Sequence, residues 1–165
     1  MKINQKTGFF LIMLFLFGIA AKSQTTGFND ALKTAKDDNK RVIVDIYTDW
    51  CGWCKKMDAD AYNNKDIKEL IEDNFVFVKL NAEGSNKVKF NGKEMTETDL
   101  ALLFQATGYP TTVFLEPNGK IIEYKYDKQS MNNLPGYFKA SDYKKILQFI
   151  IDGKYKDTDM STIVN

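Results

Sequence analysis

Residues 44–56 read Val-Asp-Ile-Tyr-Thr-Asp-Trp-Cys-Gly-Trp-Cys-Lys-Lys and contain both cysteines of the chain, Cys51 and Cys54. The segment from Arg41 to Tyr47 is mostly β-branched and aromatic, with a single acid, which predicts a buried β-strand. The segment from Lys55 to Ala61 has helical composition. The two cysteines are therefore expected at the point where a strand ends and a helix begins.

The cysteine pair stands in a chain that has no histidine. A structural zinc site needs four ligands, usually cysteine and histidine, and one CxxC motif cannot supply them. The missing histidine also excludes Ser-His-Asp and Cys-His catalysis. We therefore expect no metal, and no cofactor beyond a redox-active disulfide between Cys51 and Cys54.

The pair could still be a structural staple. In the chain-entropy model a loop of four residues stabilises a fold by only about 2 kcal/mol, against about 3 kcal/mol for fifteen residues. A redox pair, in contrast, needs closely spaced thiols, one attacking as a thiolate and one releasing the mixed disulfide. The N-terminus of a helix favours the thiolate of Cys51, and Cys54 lies one turn further on. Redox chemistry is the interpretation that the spacing favours.

The start of the chain is typical of a secretory signal. Lys2 and Lys6 precede an apolar or small run over residues 9–21, and cleavage is expected near Ala21 or Ser23. A membrane anchor is the alternative, but a span needs about 20 apolar residues and this run is shorter. We expect a periplasmic or secreted protein.

The remaining chain has the length of one domain. We expect a signal over residues 1–23, one domain over 24–153 and a flexible polar tail over 154–165. The 23 basic and 22 acidic residues nearly balance. Nucleic acid is not expected as a partner, because no basic surface neutralises phosphates.

Helical and strand patterns alternate along the chain, which predicts an α/β fold. Asn91-Gly92 is expected to turn a small hairpin, and residues 127–134 to form a polar loop. The strand over 121–126 is expected to pair with the strand before it. The predicted helices cover 28–35, 55–61, 65–72, 96–107 and 141–152, and the predicted strands cover 41–47, 75–81, 111–115 and 121–126.

The segment over 44–56 closely resembles the active-site segment of thioredoxins, and the likeness extends over roughly residues 28–151. It implies the thioredoxin fold, a central mixed β-sheet flanked by helices. The matching positions, in chain order, are Asp45, Trp50, Cys51, Cys54, Lys79, Pro110 and Gly136.

The resemblance implies a role for the two charged positions. Asp45 would be a buried base that takes the proton from Cys54, a role that suits a carboxyl group whose pKa desolvation raises. Lys79 would be the lysine beside that acid. The alternative is a buried ion pair without a catalytic role.

The resemblance also implies a substrate groove. A cis bond before Pro110 would hold the backbone of Tyr109 beside the cysteines, where it could bond an extended peptide; an ordinary trans turn is the alternative. Gly136 would border the groove. Trp50, Trp53 and Tyr109 would form an apolar rim.

The direction of exchange is open to several interpretations. This chain has Gly-Trp between its cysteines where thioredoxins have Gly-Pro and strong oxidants commonly have a histidine. Without a positive charge there the thiolate is less stabilised, which favours reduction of disulfides in exported proteins. A membrane disulfide reductase would then supply electrons, because the chain has no nucleotide-binding glycine motif. A dithiol oxidase or isomerase, and a non-catalytic peptide-binding module, remain alternatives.

Overall fold

The computed structural model describes residues 27–164. The helices are α1 (Phe28–Asp38), α2 (Gly52–Met57), α3 (Lys65–Asn74), α4 (Glu97–Leu103) and α5 (Ala140–Ile151). The strands are β1 (Arg41–Tyr47), β2 (Phe75–Asn81), β3 (Lys87–Phe90), β4 (Lys93–Thr96), β5 (Thr111–Leu115), β6 (Tyr124–Tyr126), β7 (Gln129–Met131) and β8 (Leu134–Pro135).

The central sheet has four strands in the order β2-β1-β5-β8. Strand β1 is parallel to β2 and antiparallel to β5, and β8 is antiparallel to β5. One face of the sheet packs on a cluster that includes residues of α3 and α5, and the other on a cluster that includes residues of α1, α4 and the β3–β4 hairpin. This mixed sheet between helices confirms the fold expected from the sequence.

The central position of β1 follows from its composition. Residues 42–46 are all buried, since both faces of the strand are covered by packed layers. The helices around it begin at caps that the sequence encodes. The side chain of Asn64 accepts the N–H groups of Asp66 and Ile67 at the start of α3, and Thr96 and Asp99 form a reciprocal capping box at the start of α4.

Most predicted helix ends shift in the structure: α1 ends at Asp38, α2 begins at Gly52 and α3 ends at Asn74. Helix α4 ends at Leu103 and not near residue 107, and Leu103 is exposed where its spacing predicts a buried side chain. The side chain of Asn133 donates to the carbonyl oxygens of Phe104 and Gln105. If the helix continued, these two oxygens would instead accept backbone N–H groups of the next turn. The sequence predicts Ser141 as the N-cap of the last helix, whereas α5 begins at Ala140, with Lys139 as its N-cap and without a side-chain cap.

The expected pairing of residues 121–126 with β5 is wrong beyond its first residues. A single bridge joins Leu115 to Ile121, after which β6 pairs with β7 across a turn at Asp127 and Lys128. Both turn residues have positive φ, 48° and 65°, which matches the tight turn of a two-residue hairpin. The expected polar loop therefore contains a hairpin, and β8 takes the place beside β5.

The segment after α5, expected to be a flexible tail, packs on the core. It forms short 3₁₀ turns over Lys154–Lys156 and Met160–Thr162, and Tyr155, Met160 and Val164 are buried. The three apolar side chains, spaced along a polar segment, explain the packing. The proposed signal over 1–23 lies outside the described residues. Within residues 27–164, none of the helices combines the length and apolar character needed to cross a membrane.

Candidate active site

Cys51 and Cys54 lie where β1 leads into α2, and a disulfide joins them with an S–S distance of 2.11 Å. Cys51 is the N-cap residue of α2, and its Sγ accepts the N–H of Cys54 at 3.0 Å. An N–H donor stabilises negative charge, so this contact favours the thiolate of Cys51 when the bond is reduced. Both residues are only 4% exposed. A substrate disulfide must therefore be brought directly against the motif.

Asp45 lies in the middle of β1 and is 1% exposed. Burial raises its pKa to about 6; the charge of Lys79 opposes that shift and the charge of Asp58 adds to it. The hydroxyl of Tyr62 donates to Asp45 Oδ1 at 3.3 Å. A carboxyl group with this pKa can hold a proton near neutral pH, which is the property that a base for the resolving thiol needs.

The position of Asp45 in the strand directs it towards the layer that carries α2. Side chains two residues apart share a face of a strand, so Asp45 points to the same side as Ile43. Ile43 packs in the cluster that contains Met57, at the end of α2. The side chain of Asp45 therefore lies on the same face of the sheet as α2, the helix that begins at the cysteine motif.

Lys79 connects Asp45 to a second acid. Its Nζ lies 2.7 Å from both carboxylate oxygens of Asp58 and 3.4 Å from Asp45 Oδ2. Burial lowers the pKa of Lys79, but its bond to Asp58 and its attraction to Asp45 outweigh burial and raise that pKa overall. The lysine stays cationic and sits closer to Asp58, which leaves the buried acid only partly neutralised.

Sequence reasoning predicts Lys79 beside Asp45 but misses Asp58. The first pair is encoded by the register of β1 and β2, in which Asp45 and Lys79 are direct neighbours. Asp58 could have been noticed because it follows Cys54 by four residues, one turn of helix. Helix α2 continues there as a π-helical turn over Asp58–Tyr62, which supplies both Asp58 and the Tyr62 hydroxyl.

A surface cleft of about 490 Å³ opens beside this acid network. Asp58, Tyr62, Phe77 and Lys79 are among the residues that line it. Neither cysteine belongs to its lining. This cleft therefore leads to the ionisable groups Asp58 and Lys79 and not to the disulfide itself.

The aromatic residues beside the cysteines are exposed. The relative exposure of Trp50 is 68% and that of Trp53 is 59%. Trp50 packs edge-to-face on Tyr109, with ring centroids 6.1 Å apart, and its indole N–H donates to Glu83 Oε1 at 3.0 Å. The structure thus exposes Trp50 and Trp53, whereas Tyr109 is half-buried. Glu83 is an additional partner that the sequence pattern does not reveal.

The Tyr109–Pro110 bond is cis. The N–H of Gly136 donates to the carbonyl oxygen of Pro110 at 2.8 Å, directly beyond the pairing of β5 with β8. Gly136 has a φ of 100°, a conformation that favours glycine. The contact of Tyr109 with Trp50 joins this segment to the cysteine motif. The residues predicted to form a groove are therefore brought together around one edge of the site.

Tyr137 and Asp60 are further neighbours of the motif that sequence reasoning misses. The ring of Tyr137 lies 5.4 Å from that of Trp53, and its hydroxyl donates to Asp60. The only local signal is the position of Tyr137 directly after Gly136. Among residues 27–164, no group of three or more His, Cys, Asp or Glu side chains is arranged to hold a metal ion.

Comparisons with known proteins agree on one family. A model of the thioredoxin-like domain family matches residues 28–151. The chain is 29% identical over 106 residues to a protein disulfide-isomerase of Hordeum vulgare, covering 59% of this chain and 18% of that protein. It is 26% identical over 103 residues to the disulfide bond reductase DsbH of Chlamydia pneumoniae, covering 61% of each. The chain thus spans less than two thirds of the length of these relatives.

A solved structure shows a similar fold. A thioredoxin-fold protein from Helicobacter pylori aligns with a TM-score of 0.59 and 26% identity, over 76% of this chain and 80% of that chain. The Cys51–Cys54 disulfide therefore lies in a fold that the family model and this solved structure share.

Proposed function

We propose that this chain, which belongs to the thioredoxin-like domain family, is an exported thiol:disulfide oxidoreductase that reduces disulfides of extracytoplasmic proteins. The observation that carries the proposal is the Cys51–Cys54 disulfide at the start of α2, with the N–H of Cys54 on the sulfur of Cys51. This arrangement supplies an attacking sulfur and a resolving sulfur in one helical turn.

The reaction proceeds in two exchanges. The Cys51 thiolate attacks a substrate disulfide, forms a mixed disulfide and releases one substrate sulfur as a thiolate. The thiol of Cys54 then loses its proton to Asp45, directly or through water, and attacks the sulfur of Cys51. The second substrate sulfur leaves, and the enzyme holds the disulfide that the structure shows. Two electrons pass from the enzyme dithiol to the substrate.

The direction of exchange rests on the residues between the cysteines. Gly52 and Trp53 add no positive charge beside Cys51, so the reduced form gains little extra stability and remains a good electron donor. The likeness to a protein named disulfide bond reductase supports the same direction. The proposed partner is a membrane disulfide reductase, which would reduce the Cys51–Cys54 disulfide on the periplasmic side after each turnover.

The proposed location is periplasmic or otherwise extracytoplasmic. It rests on the signal-like residues 1–23 and on the likeness to DsbH. Mass spectrometry of the protein recovered from the periplasm or medium should show a new N-terminus near residue 22 or 24. Recovery of the full-length chain from the cytoplasm alone would contradict the export proposal.

Insulin reduction tests the activity with a matched pair of variants. The reduced wild type should precipitate insulin. Cys51→Ser should be inactive and form no adduct, whereas Cys54→Ser should be inactive and accumulate a mixed disulfide through Cys51. A folded, fully reduced wild type that leaves insulin intact would refute the proposal.

The likeness to a protein disulfide-isomerase favours a second candidate, a dithiol oxidase or isomerase. Equilibration with glutathione separates the two. A potential well below about −200 mV for the Cys51–Cys54 couple favours reduction, and one near −120 mV favours oxidation.

A further inference from the structure

Two aromatic pairs flank the cysteine motif, and they are held by different partners. Trp50 contacts Tyr109 of the cis-proline segment. Trp53, which lies between the cysteines, contacts Tyr137, the residue after Gly136, with ring planes inclined at 45°. The second pair therefore joins the motif to the segment that follows the β6–β7 hairpin.

The ring of Tyr137 is fixed by a small polar cluster. Its hydroxyl donates to Asp60 Oδ2 at 2.6 Å, and Lys56 Nζ lies 2.8 Å from the same oxygen. Lys56 also lies over the Tyr137 ring, 5.5 Å from its centroid. Hydrogen bonds from Lys56 and Tyr137 lower the pKa of Asp60, so its carboxylate stays ionised and the cluster persists at neutral pH.

Tyr137 is partly buried against the hydrophobic core, whereas Trp53, which stands between the two cysteines in the chain, remains mostly exposed. An exposed aromatic wall offers a face on which another ring gains contact area and favourable ring geometry. The charge of Asp60 is already matched by Lys56, so the wall favours an uncharged side chain over an acidic or basic one.

We propose that Trp53 and Tyr137 form a specificity subsite for an aromatic or large apolar side chain of an extended substrate segment, near its reacting cysteine. The proposal rests on the proposed function and names its substrate class: disulfides flanked by such a side chain. Proximity to the cysteine follows from the position of Trp53 inside the motif. Tyr137 and Asp60 then act as determinants of substrate choice and not of the sulfur chemistry.

Peptides of equal length test this subsite. Each peptide carries one intramolecular disulfide. The parent peptide has Ala at the three positions on either side of one cysteine, and each other peptide has a single Phe at one of these positions. The readout is the ratio of kcat/KM for each Phe peptide to that of the parent. For the wild type we expect a ratio of about two to ten at one position or more, the range of an aromatic pair.

The variants separate the ring from its hydrogen bond. Tyr137→Ala should lower the highest ratio to about one, and Tyr137→Phe, which keeps the ring and loses the bond to Asp60, should give an intermediate ratio. Leu102→Ala removes an exposed apolar side chain elsewhere and should keep the wild-type ratio.

A ratio of one in an active wild type, or an unchanged ratio in Tyr137→Ala, would overturn the subsite alone. Failure of the wild type to exchange with any peptide would overturn the proposed function and, with it, the subsite.

Discussion

Replacing Asp45 with Asn should make the oxidised protein more stable at neutral pH. The carboxyl group is almost fully buried in β1, and the cation beside it, Lys79, is bound more closely by Asp58. Asn has nearly the same shape, can still accept the bond from Tyr62 and cannot ionise. The substitution therefore removes a buried charge while leaving the packing of the strand in place.

The size of the effect follows from proton linkage. The carboxyl group of Asp45 has a pKa of about 6 in the folded state, against 3.8 as the ordinary value. Between these pH values the unfolded chain has lost the proton and the folded protein has kept it, so the free energy of unfolding falls as the pH rises. The fall amounts to about 3 kcal/mol and is complete above the folded pKa. Asp45→Asn should avoid this loss.

Urea unfolding of the oxidised protein between pH 4 and pH 8 measures this difference. The variant should nearly match the wild type at pH 4 and exceed it by up to about 3 kcal/mol at pH 7, less whatever attraction to Lys79 is lost. The same substitution at the exposed Asp73 is the control and should leave the wild-type pH dependence in place. A difference between variant and wild type that does not change with pH would refute the assignment of a raised pKa to Asp45.

Three further predictions concern the network and the fold. Asp58→Asn should lower the pH above which stability stops falling, about 6 in the wild type, and Lys79→Met should raise it, because Asp58 raises and Lys79 lowers the pKa of Asp45; opposite shifts in the urea series would contradict this. Met160→Ala should destabilise the protein by about 2–5 kcal/mol, as expected for a buried methionine, and a loss under about 0.5 kcal/mol would show that the C-terminal segment does not pack. Thr96→Ala should lower the urea midpoint by an amount equivalent to about 1 kcal/mol, and no change would show that the capping box is not stabilising.

The parts of the fold that the sequence predicts correctly are those with local causes. The runs over 41–47, 75–81 and 111–115 are nearly all apolar, and the structure has strands with these same bounds. Asn91-Gly92 marks the β3–β4 hairpin by its turn chemistry, and Gly92 has the positive φ that such turns use. Where periodicity or turn residues decide a segment, sequence reasoning was sufficient.

The errors arise where distant contacts decide between local alternatives. Residues 121–126 could have continued a hairpin with β5, but β8 pairs with Thr111 and Thr112 at the start of that edge, and only Ile121 bridges to its end. Asp159, in the segment expected to be flexible, accepts the backbone N–H groups of Asp127 and Lys128 and so fixes the β6–β7 turn. No pattern in either segment alone reveals this bond, because its two ends are about 30 residues apart.

The residues of the candidate site likewise fall into those that the sequence predicts and those that it misses. The cysteines, Asp45 and Pro110 stand in recognisable segments, whereas Asp58 and Tyr137 become partners of the motif only through packing. Asp58 depends on the π-helical turn that follows α2, and Tyr137 on the approach of the loop after β8. Both missed residues are half-buried polar or aromatic positions, and residue type alone does not distinguish such positions in a site from those elsewhere on the fold.

The site therefore contains two groups of residues with different physical tasks and few shared contacts. Asp45, Lys79 and Asp58 control where a proton is held, and they adjoin a cleft whose lining contains none of the rim aromatics. Trp53 and Tyr137 form a surface wall whose polar cluster uses a different acid, Asp60. Substitutions in the first group should move the pH above which stability stops falling, without changing which peptide is preferred, and substitutions at Tyr137 should do the reverse. A variant of Tyr137 that moved this pH away from about 6 would show that the two groups are coupled through the motif.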